Sequence, residues 1–450
     1  MACFWSHQNE TKIEIPSTEE ISNVIYYKIR VYVGVYTWTV NHRYSEFFDL
    51  NSQLVIDHGV SKDILPSKRV IGNKCPIFIE SRKMGLQEYL QKTLIFLKRT
   101  MPKIFVDFLH FNLYDIYFLL QDLSSKLFLE ADFILSSNKP YQFKTLELHA
   151  ISQFLKKPLL DSTEIRLDIG PVLDFCSQLK SISVIGGSSA YLDSNIIFSM
   201  LPFELSSFKE LKSLSMKQVN FEVIFSLGNL RNTIENLQVN NTSISSISQV
   251  LQCDVIHKHN LEGSEKWTVL EYLDLGNNNL TDIDMTIRLA PKLKNISLVD
   301  NKISTITNLS HLPHLSHLSL ANNLMTICND LHTKIGNILS VNLSQNSLTS
   351  CIGFSKLYSL ETLDLSCNKI TEIEEIAHIG DLPCLENLLL TGNSVATTVD
   401  YRVKVLEYFG DKAKNICLDN EKPSQAELDK VSVLRALRIV REGKTPDFVA

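Results

Sequence analysis

The sequence has no CxxC pair, no long uninterrupted apolar run and no excess of basic charge. Each absence excludes something. Nine cysteines are scattered singly along 450 residues, an odd number without metal-ligand spacing. That pattern predicts free thiols in a reducing compartment, not a disulfide framework or a zinc site. The most apolar stretch, Ile104 to Leu120, is broken by Asp107, His110, Asn112 and Asp115. It falls short of the roughly 20 apolar residues that span a bilayer. The opening MACFWSHQNETKIEIP has no basic region leading into an apolar one, so no signal peptide is expected and the cytosol is the default. A net charge of −6 argues against bulk nucleic-acid binding. GxxxxGK[ST], HExxH, GxSxG and a GxGxxG following a strand are all missing, so no enzyme and no cofactor is expected.

What is present is ordinary globular composition, 44% hydrophobic and 21% charged, in a chain long enough for two or three domains. Its strongest signal is a repeat, L-x-x-L-x-L-x-x-N-x-L. One copy runs Leu270, Leu273, Leu275, Asn278, Leu280, and five more follow in register, with asparagines at Asn301, Asn323, Asn346, Asn368 and Asn393. Two looser copies precede them, with Val219 and Thr242 at the asparagine position, and a weaker one begins near Leu179. The wide gap from Thr242 to Asn278 predicts an inserted loop over about 245–266.

Such a unit is a leucine-rich repeat: a strand, a turn and a helical return that buries its apolar face only against neighbours. The asparagine belongs at the turn, where its side chain serves backbone groups. Outward strand positions form two rows. Tyr272, Asn295, His317, Ser340, Thr362 and Asn387 make the first. Asp274, Ser297, Ser319, Asn342, Asp364 and Leu389 make the second. These small polar rows suit a protein surface. Tyr272, Asp274, Asn295, His317, Ser340, Thr362 and Asn387 are the candidate partner-binding residues. After the repeats, Asp400-Tyr401-Arg402 resembles the C-terminal cap of cytosolic leucine-rich repeat proteins, and a helix is expected over 425–442.

The N-terminal part alternates apolar and polar residues through Ile13 and Ile15, Val24 to Val33, and Tyr36 to Val40, as strands do. From Glu46 the spacing turns helical, and a second helix is expected from Ile79 to Leu97. Sheet followed by helices is an α+β domain. Lys62, Lys68, Arg69, Lys74, Arg82 and Lys83 outnumber Asp63 and Glu80 here, which points to an anionic partner. Arg69, Val70, Ile71 and Lys74 combine charge with apolar residues, as a contact with an anionic membrane would; a merely solvated basic face is the alternative.

His42-Arg43-Tyr44-Ser45-Glu46-Phe47 resembles the R-R-Y-x-x-F signature of Phox-homology (PX) domains. Leu65-Pro66-Ser67-Lys68 is similar to their proline-rich loop and following lysine, and Arg82 with Leu86 and Tyr89 to the start of their second helix. The sequence departs from the pattern at His42, where many members have a second arginine, and in having one proline in the loop. The resemblance implies a phosphoinositide-binding module, most often for phosphatidylinositol 3-phosphate on endosomes. It assigns the 3-phosphate to Arg43, the inositol ring to Tyr44, the 1-phosphate to Lys68 and ring hydroxyls to Arg82. Core packing for Tyr44 and a surface ion pair for Arg43 are the alternatives. The fold class expected is thus an α+β PX domain followed by an α/β leucine-rich repeat solenoid. The boundaries read 11–121 for the PX domain, 122–205 for a helical connector and N-terminal cap, 206–400 for the repeats and 401–442 for the C-terminal cap and helix.

With His110-Phe111-Asn112-Leu113-Tyr114 and Leu201-Pro202-Phe203-Glu204-Leu205, this order of domains resembles the nischarin-like family across essentially the whole chain. That resemblance implies a scaffold peripheral on early or recycling endosomes, engaging integrin α tails and Rac-effector kinases. The family's long region after the repeats is not part of this sequence. A soluble regulator, for instance of a phosphatase, whose PX fold has lost lipid binding is the alternative.

Overall fold

A computed structural model describes residues 1–68, 75–137, 139–156, 168–253 and 261–441. The chain divides into two compact units, Met1–Glu210 with Gln218–Phe225, and Leu211–Lys217 with the residues from Ser226 onward.

The first unit opens with an antiparallel sheet of β1 (Lys12–Ile21), β2 (Val24–Val33) and β3 (Tyr36–Arg43). Alternation does the work: Ile13 and Ile15, then Ile29, Val31 and Val33, then Trp38 and Val40 are buried while their neighbours face out. A register shift between Glu14 and Ser17 accommodates Pro16, which has no N–H to give a partner strand. Helix α1 (Tyr44–His58) follows β3 without a loop and ends at Gly59, whose φ of 69° suits a residue with no Cβ. Helix α2 (Pro76–Leu97) buries Leu86, Tyr89, Leu90 and Leu94 beneath the sheet. Short α3 (Lys103–Phe108) and α4 (Phe111–Tyr114) lead to α5 (Ile116–Ser136).

The N-terminal segment is part of this core. Ala2 and Phe4 are fully buried, and the Ala2 N–H donates to the Tyr114 carbonyl at 3.1 Å. Asp115 caps α5, accepting from the Tyr117 N–H at 3.0 Å and from the Phe4 N–H at 2.6 Å. Beyond α5 come β4 (Tyr141–Lys144), α6 (Thr145–Lys156), α7 (Gly170–Gln178) and β5 (Ser181–Ile185), the last pairing with β4 in parallel. The strand β4 is absent from the helical reading of this region. Two-residue strands β6 (Phe203–Glu204) and β8 (Ile224–Phe225) pair with each other.

In the second unit one parallel sheet runs from β7 (Ser213–Lys217) through β9 (Asn236–Asn240), β10 (Tyr272–Asp274), β11 (Asn295–Ser297), β12 (His317–Ser319), β13 (Ser340–Asn342), β14 (Thr362–Asp364) and β15 (Asn387–Leu389) to β16 (Cys417–Leu418). Register pairs Leu273, Ile296, Leu318, Val341, Leu363 and Leu388 side by side, and all are buried. The asparagines tie the copies together. Asn301 donates to the Leu298 carbonyl of its own turn at 3.1 Å and to Leu275 of the preceding one at 3.0 Å, while its Oδ1 accepts from the Leu280 N–H at 3.0 Å. The residue before each asparagine (Asn277, Asp300, Asn322, Gln345, Cys367, Gly392) has φ between 51° and 76°, the tight step that turns the chain off the strand.

The helical returns are short. Among the described residues, Met285–Leu289, Leu309–His311 and Ile352–Phe354 are 3-10 turns, and the α-helices are brief: α8 (Ser248–Leu251), α9 (Leu331–Ile335) and α10 (Ala377–Gly380). A repeat of this length leaves few residues for a return. The expected insertion over 245–266 is partly a repeat return as well, since Ile247, Val250 and Leu251 are buried and the Trp267 indole donates to the Leu251 carbonyl at 3.0 Å. At the end, α11 (Tyr401–Glu407) covers the last layer, and the Tyr401 hydroxyl donates to Asp419 Oδ2 at 2.9 Å. Helix α12 (Gln425–Arg441) packs there through buried Val431 and an Arg402–Glu427 ion pair of 2.6 Å, leaving Val433 and Leu437 exposed. Among the described residues no helix is long and apolar enough to cross a membrane.

Candidate functional site

Two places carry the residues singled out above, and each is built by its local fold. The first lies where β3 meets α1. Arg43 is the last residue of the strand and the cap of the helix, its N–H donating to Glu46 Oε2 at 3.2 Å. Tyr44, in the first helical turn, donates its hydroxyl to the Pro66 carbonyl at 2.5 Å. That bond pins the proline loop to α1. The loop also sits close on α2: a Cβ at Gly85 would come within 2.7 Å of Pro66 Cγ, so glycine is required for this approach.

Arg82 is the unusual group. It is 8% exposed, and its guanidinium lies 4.2 Å from the ring centroids of both Tyr44 and Phe78. Stacked between two aromatic faces, it is attracted by both rings. Nε and Nη2 are buried and have no hydrogen-bond partner among the described residues. Burial raises the Tyr27 and Tyr44 hydroxyls above their ordinary range, and the neighbouring Arg82 charge opposes that shift in both. A buried guanidinium with unspent N–H groups is costly unless an acceptor meets it.

Lys68 is exposed, its ammonium 5.9 Å from the Phe48 ring. It shares with Tyr44, Phe48, Pro66 and Lys62 the wall of a cleft of about 330 Å³. Tyr44 thus touches both Arg82 and the Lys68 cleft. Arg43 does not line that cleft; its side chain turns to Glu46, with Nε 3.2 Å from Oε1. Lys83 pairs with Glu80 at 2.7 Å, which removes it from the local excess of positive charge. The residues expected at a membrane, Arg69, Val70, Ile71 and Lys74, lie outside the described residues.

Sequence reasoning missed Phe78, Gly85 and Glu46. Phe78 was within reach, because it stands four positions before Arg82 and shares its helix face.

The second place is the outward face of the parallel sheet. The register sets Tyr272, Asn295, His317, Ser340, Thr362 and Asn387 in one line, and Asp274, Ser297, Ser319, Asn342, Asp364 and Leu389 in the next. The two lines differ in what they have left to offer. In the second, Asp274 accepts from the Gly276 N–H, Asn342 from Ser344 and Asp364 from Ser366, each at 2.9 Å, so these groups secure their own turns. In the first, His317 is exposed with Ser316 beside it at 2.8 Å, and Asn387 donates to Thr362 at 3.3 Å. Burial, with Asp274 adding to it, raises the Tyr272 hydroxyl.

Comparison with known proteins covers both places. Residues 31–112 match the PX domain family, 268–325 match leucine rich repeat, and 337–378 match leucine rich repeats in two copies. An uncharacterized leucine-rich repeat-containing protein of Schizosaccharomyces pombe is 31% identical over 193 residues, covering 42% of this chain and 30% of its own length. Sorting nexin-14 of Danio rerio is 40% identical over 74 residues, 16% of this chain and 8% of its own. The chain therefore spans less than a third of either relative. Among solved structures, a leucine-rich repeat protein of Leptospira interrogans aligns with a TM-score of 0.41 at 19% identity, over 59% of this chain and 62% of that one. PX domains and leucine-rich repeats are typically non-enzymatic binding modules, for phosphoinositide membranes and for proteins respectively. The chain carries an N-terminal PX domain followed by a leucine-rich repeat solenoid.

Proposed function

We propose that this protein is a non-enzymatic scaffold, brought to early or recycling endosomes by phosphatidylinositol 3-phosphate and holding signalling proteins on its repeats. The observation that carries this reading is Arg82, buried between two aromatic rings with Nε and Nη2 unspent. In this reading Arg82 meets ring hydroxyls, Arg43 the 3-phosphate, Tyr44 the inositol ring and Lys68 the 1-phosphate. Arg69, Val70, Ile71 and Lys74 contact the surrounding membrane. Arginine suits this task because its fork gives two parallel bonds to paired oxygens.

The first row of the sheet, from Tyr272 to Asn387, is the protein-binding line, with Asp274 beneath it. Its partners, by the nischarin-like resemblance, are integrin α tails and Rac-effector kinases, with no nucleic acid among them. A specific observation supports a second reading, a soluble repeat regulator that does not bind lipid: Glu46 already answers the Arg43 charge. Sedimentation with vesicles containing phosphatidylinositol 3-phosphate separates the two. Binding by the wild type that Arg82→Ala removes is the expected result. No sedimentation of the wild type overturns the lipid reading in favour of the regulator.

A further inference from the structure

His42 stands where the PX pattern has a second arginine, and both its ring nitrogens are engaged. Nδ1 lies 2.7 Å from Glu46 Oε2, and Nε2 lies 2.7 Å from the Phe108 carbonyl oxygen. Both partners are acceptors. A neutral imidazole carries one N–H and serves one of them; the imidazolium serves both. The ring has little freedom to avoid the choice. It stacks on Phe108 with centroids 3.9 Å apart and planes within 12°, and its side chain is 15% exposed.

The carboxylate that receives Nδ1 is the one that holds Arg43. Glu46 Oε1 is 3.2 Å from Arg43 Nε, and Oε2 is 3.2 Å from the Arg43 N–H. With His42 neutral, Arg43 alone answers the Glu46 charge. With His42 charged, two cations share one carboxylate, and the Arg43 side chain, 51% exposed, is held less tightly.

The other groups around His42 do not undo this coupling. Tyr27, its register partner on β2, is kept neutral by burial. From the N-cap of α4, the His110 ring lies 6.1 Å away. Burial first and the His42 charge second hold His110 below its ordinary range, with Asp107 opposing. Glu46 is the anion His42 meets directly.

We propose that His42 is a positioning residue: its protonation loosens Arg43 from Glu46, so that a phosphorylated inositol lipid binds more tightly as pH falls. This rests on the lipid-binding reading above. Binding is measured from about pH 7.5 to about pH 5.5, the range of imidazole titration. The probes are phosphatidylcholine vesicles with phosphatidylinositol 3-phosphate and, in parallel, the soluble headgroup inositol 1,3-bisphosphate. His42→Gln can still hydrogen-bond but cannot charge, and it cancels any titration of the phosphate itself.

The expected result is a wild-type to His42→Gln affinity ratio that rises about fivefold across the range on both probes. Glu46→Gln is expected to bind more tightly than the wild type near neutrality and to lose the pH dependence. Parallel profiles for wild type and His42→Gln overturn the proposal while leaving the lipid reading standing, as does a pH effect confined to vesicles. No wild-type binding to either probe at any pH overturns the lipid reading and the consequence for affinity with it. The coupling is also read without ligand, by NMR of the Arg43 Nε–H over the same pH range. Its signal is expected to change with pH in the wild type and to stay constant in His42→Gln; equal behaviour in both overturns the coupling.

Discussion

Arg43 and Arg82 both carry charge to the candidate lipid site but are held in opposite ways. Arg43 is half-exposed and paired to Glu46; Arg82 is buried and stacked. Exposed charges are screened by salt far more than buried ones. Arg82→Ala is therefore expected to abolish vesicle binding at every ionic strength. Arg43→Ala is expected to abolish specific recognition of phosphatidylinositol 3-phosphate, leaving a weak attraction that disappears as salt is raised. Equal losses for both at all salt concentrations mean a diffuse basic surface. Short motifs named the four lipid-contacting candidates; the fold sets Tyr44 against Arg82 and beside the Lys68 cleft, and turns Arg43 to Glu46. Phe78, Glu46 and the double engagement of His42 were not legible, because their roles arise between segments. Asp115 shows the same limit: within the sequence it is one polar residue interrupting an apolar run. In the fold it is buried, and burial pushes its carboxyl up to about 7 against the opposing pull of three backbone N–H groups. A folded-state pKa above the ordinary 3.8 means that the folded chain retains a proton the unfolded chain has released. Its contribution to stability is therefore full below about pH 4 and lost as pH rises towards 7. Asp115→Asn is expected to flatten that slope in melting curves taken between those values.

At the scale of the element, the asparagine ladder and the leucine stack are separate supports. Asn346 donates to the Leu320, Leu343 and Ser344 carbonyls at 2.9, 3.1 and 3.1 Å, and accepts from the Met325 N–H at 2.9 Å. Asn346→Ala leaves these buried groups unpaired and is expected to cost about 2–3 kcal/mol. Leu343→Ala removes a fully buried side chain and is expected to cost about 2–5 kcal/mol, both read by denaturant unfolding. A near-zero change at either position would contradict its burial. Strand positions in the six regular copies were legible to within a residue, since a fixed period repeats the same packing problem in each copy; β16, outside the period, was not. The returns were less legible: on the side away from the sheet, 3-10 turns such as Leu309–His311 satisfy burial with few residues, and the period does not specify helix type.

For the whole of the first unit, the sequence reads a sheet domain and a later connector as consecutive pieces, and the structure joins them. The outer edge of β3 does not end in solvent. The Thr39 N–H donates to the Asp193 carbonyl at 2.8 Å, and the Asn195 N–H donates to the Thr37 carbonyl at 3.1 Å. The Asn195 side chain completes the edge, accepting from the Thr37 N–H at 2.9 Å and donating to the Val35 carbonyl at 2.8 Å. Tyr191 adds an edge-to-face contact with Tyr114, centroids 5.7 Å apart. An open strand edge invites pairing with other chains, and this segment occupies it. No periodicity marks residues 193–195 as a strand partner, because the pairing is a single bridge of two backbone bonds that one asparagine side chain extends. Asn195→Ala is expected to remove two of these bonds, at about 1 kcal/mol each, without disturbing the buried face of β3. Hydrogen exchange tests this at single amides: the Thr37 amide loses its acceptor outright and should lose protection. The Thr39 amide, whose acceptor is a backbone carbonyl, should lose less. Unchanged protection at Thr37 would mean that 193–195 does not hold the edge, and the PX sheet would then stand without it.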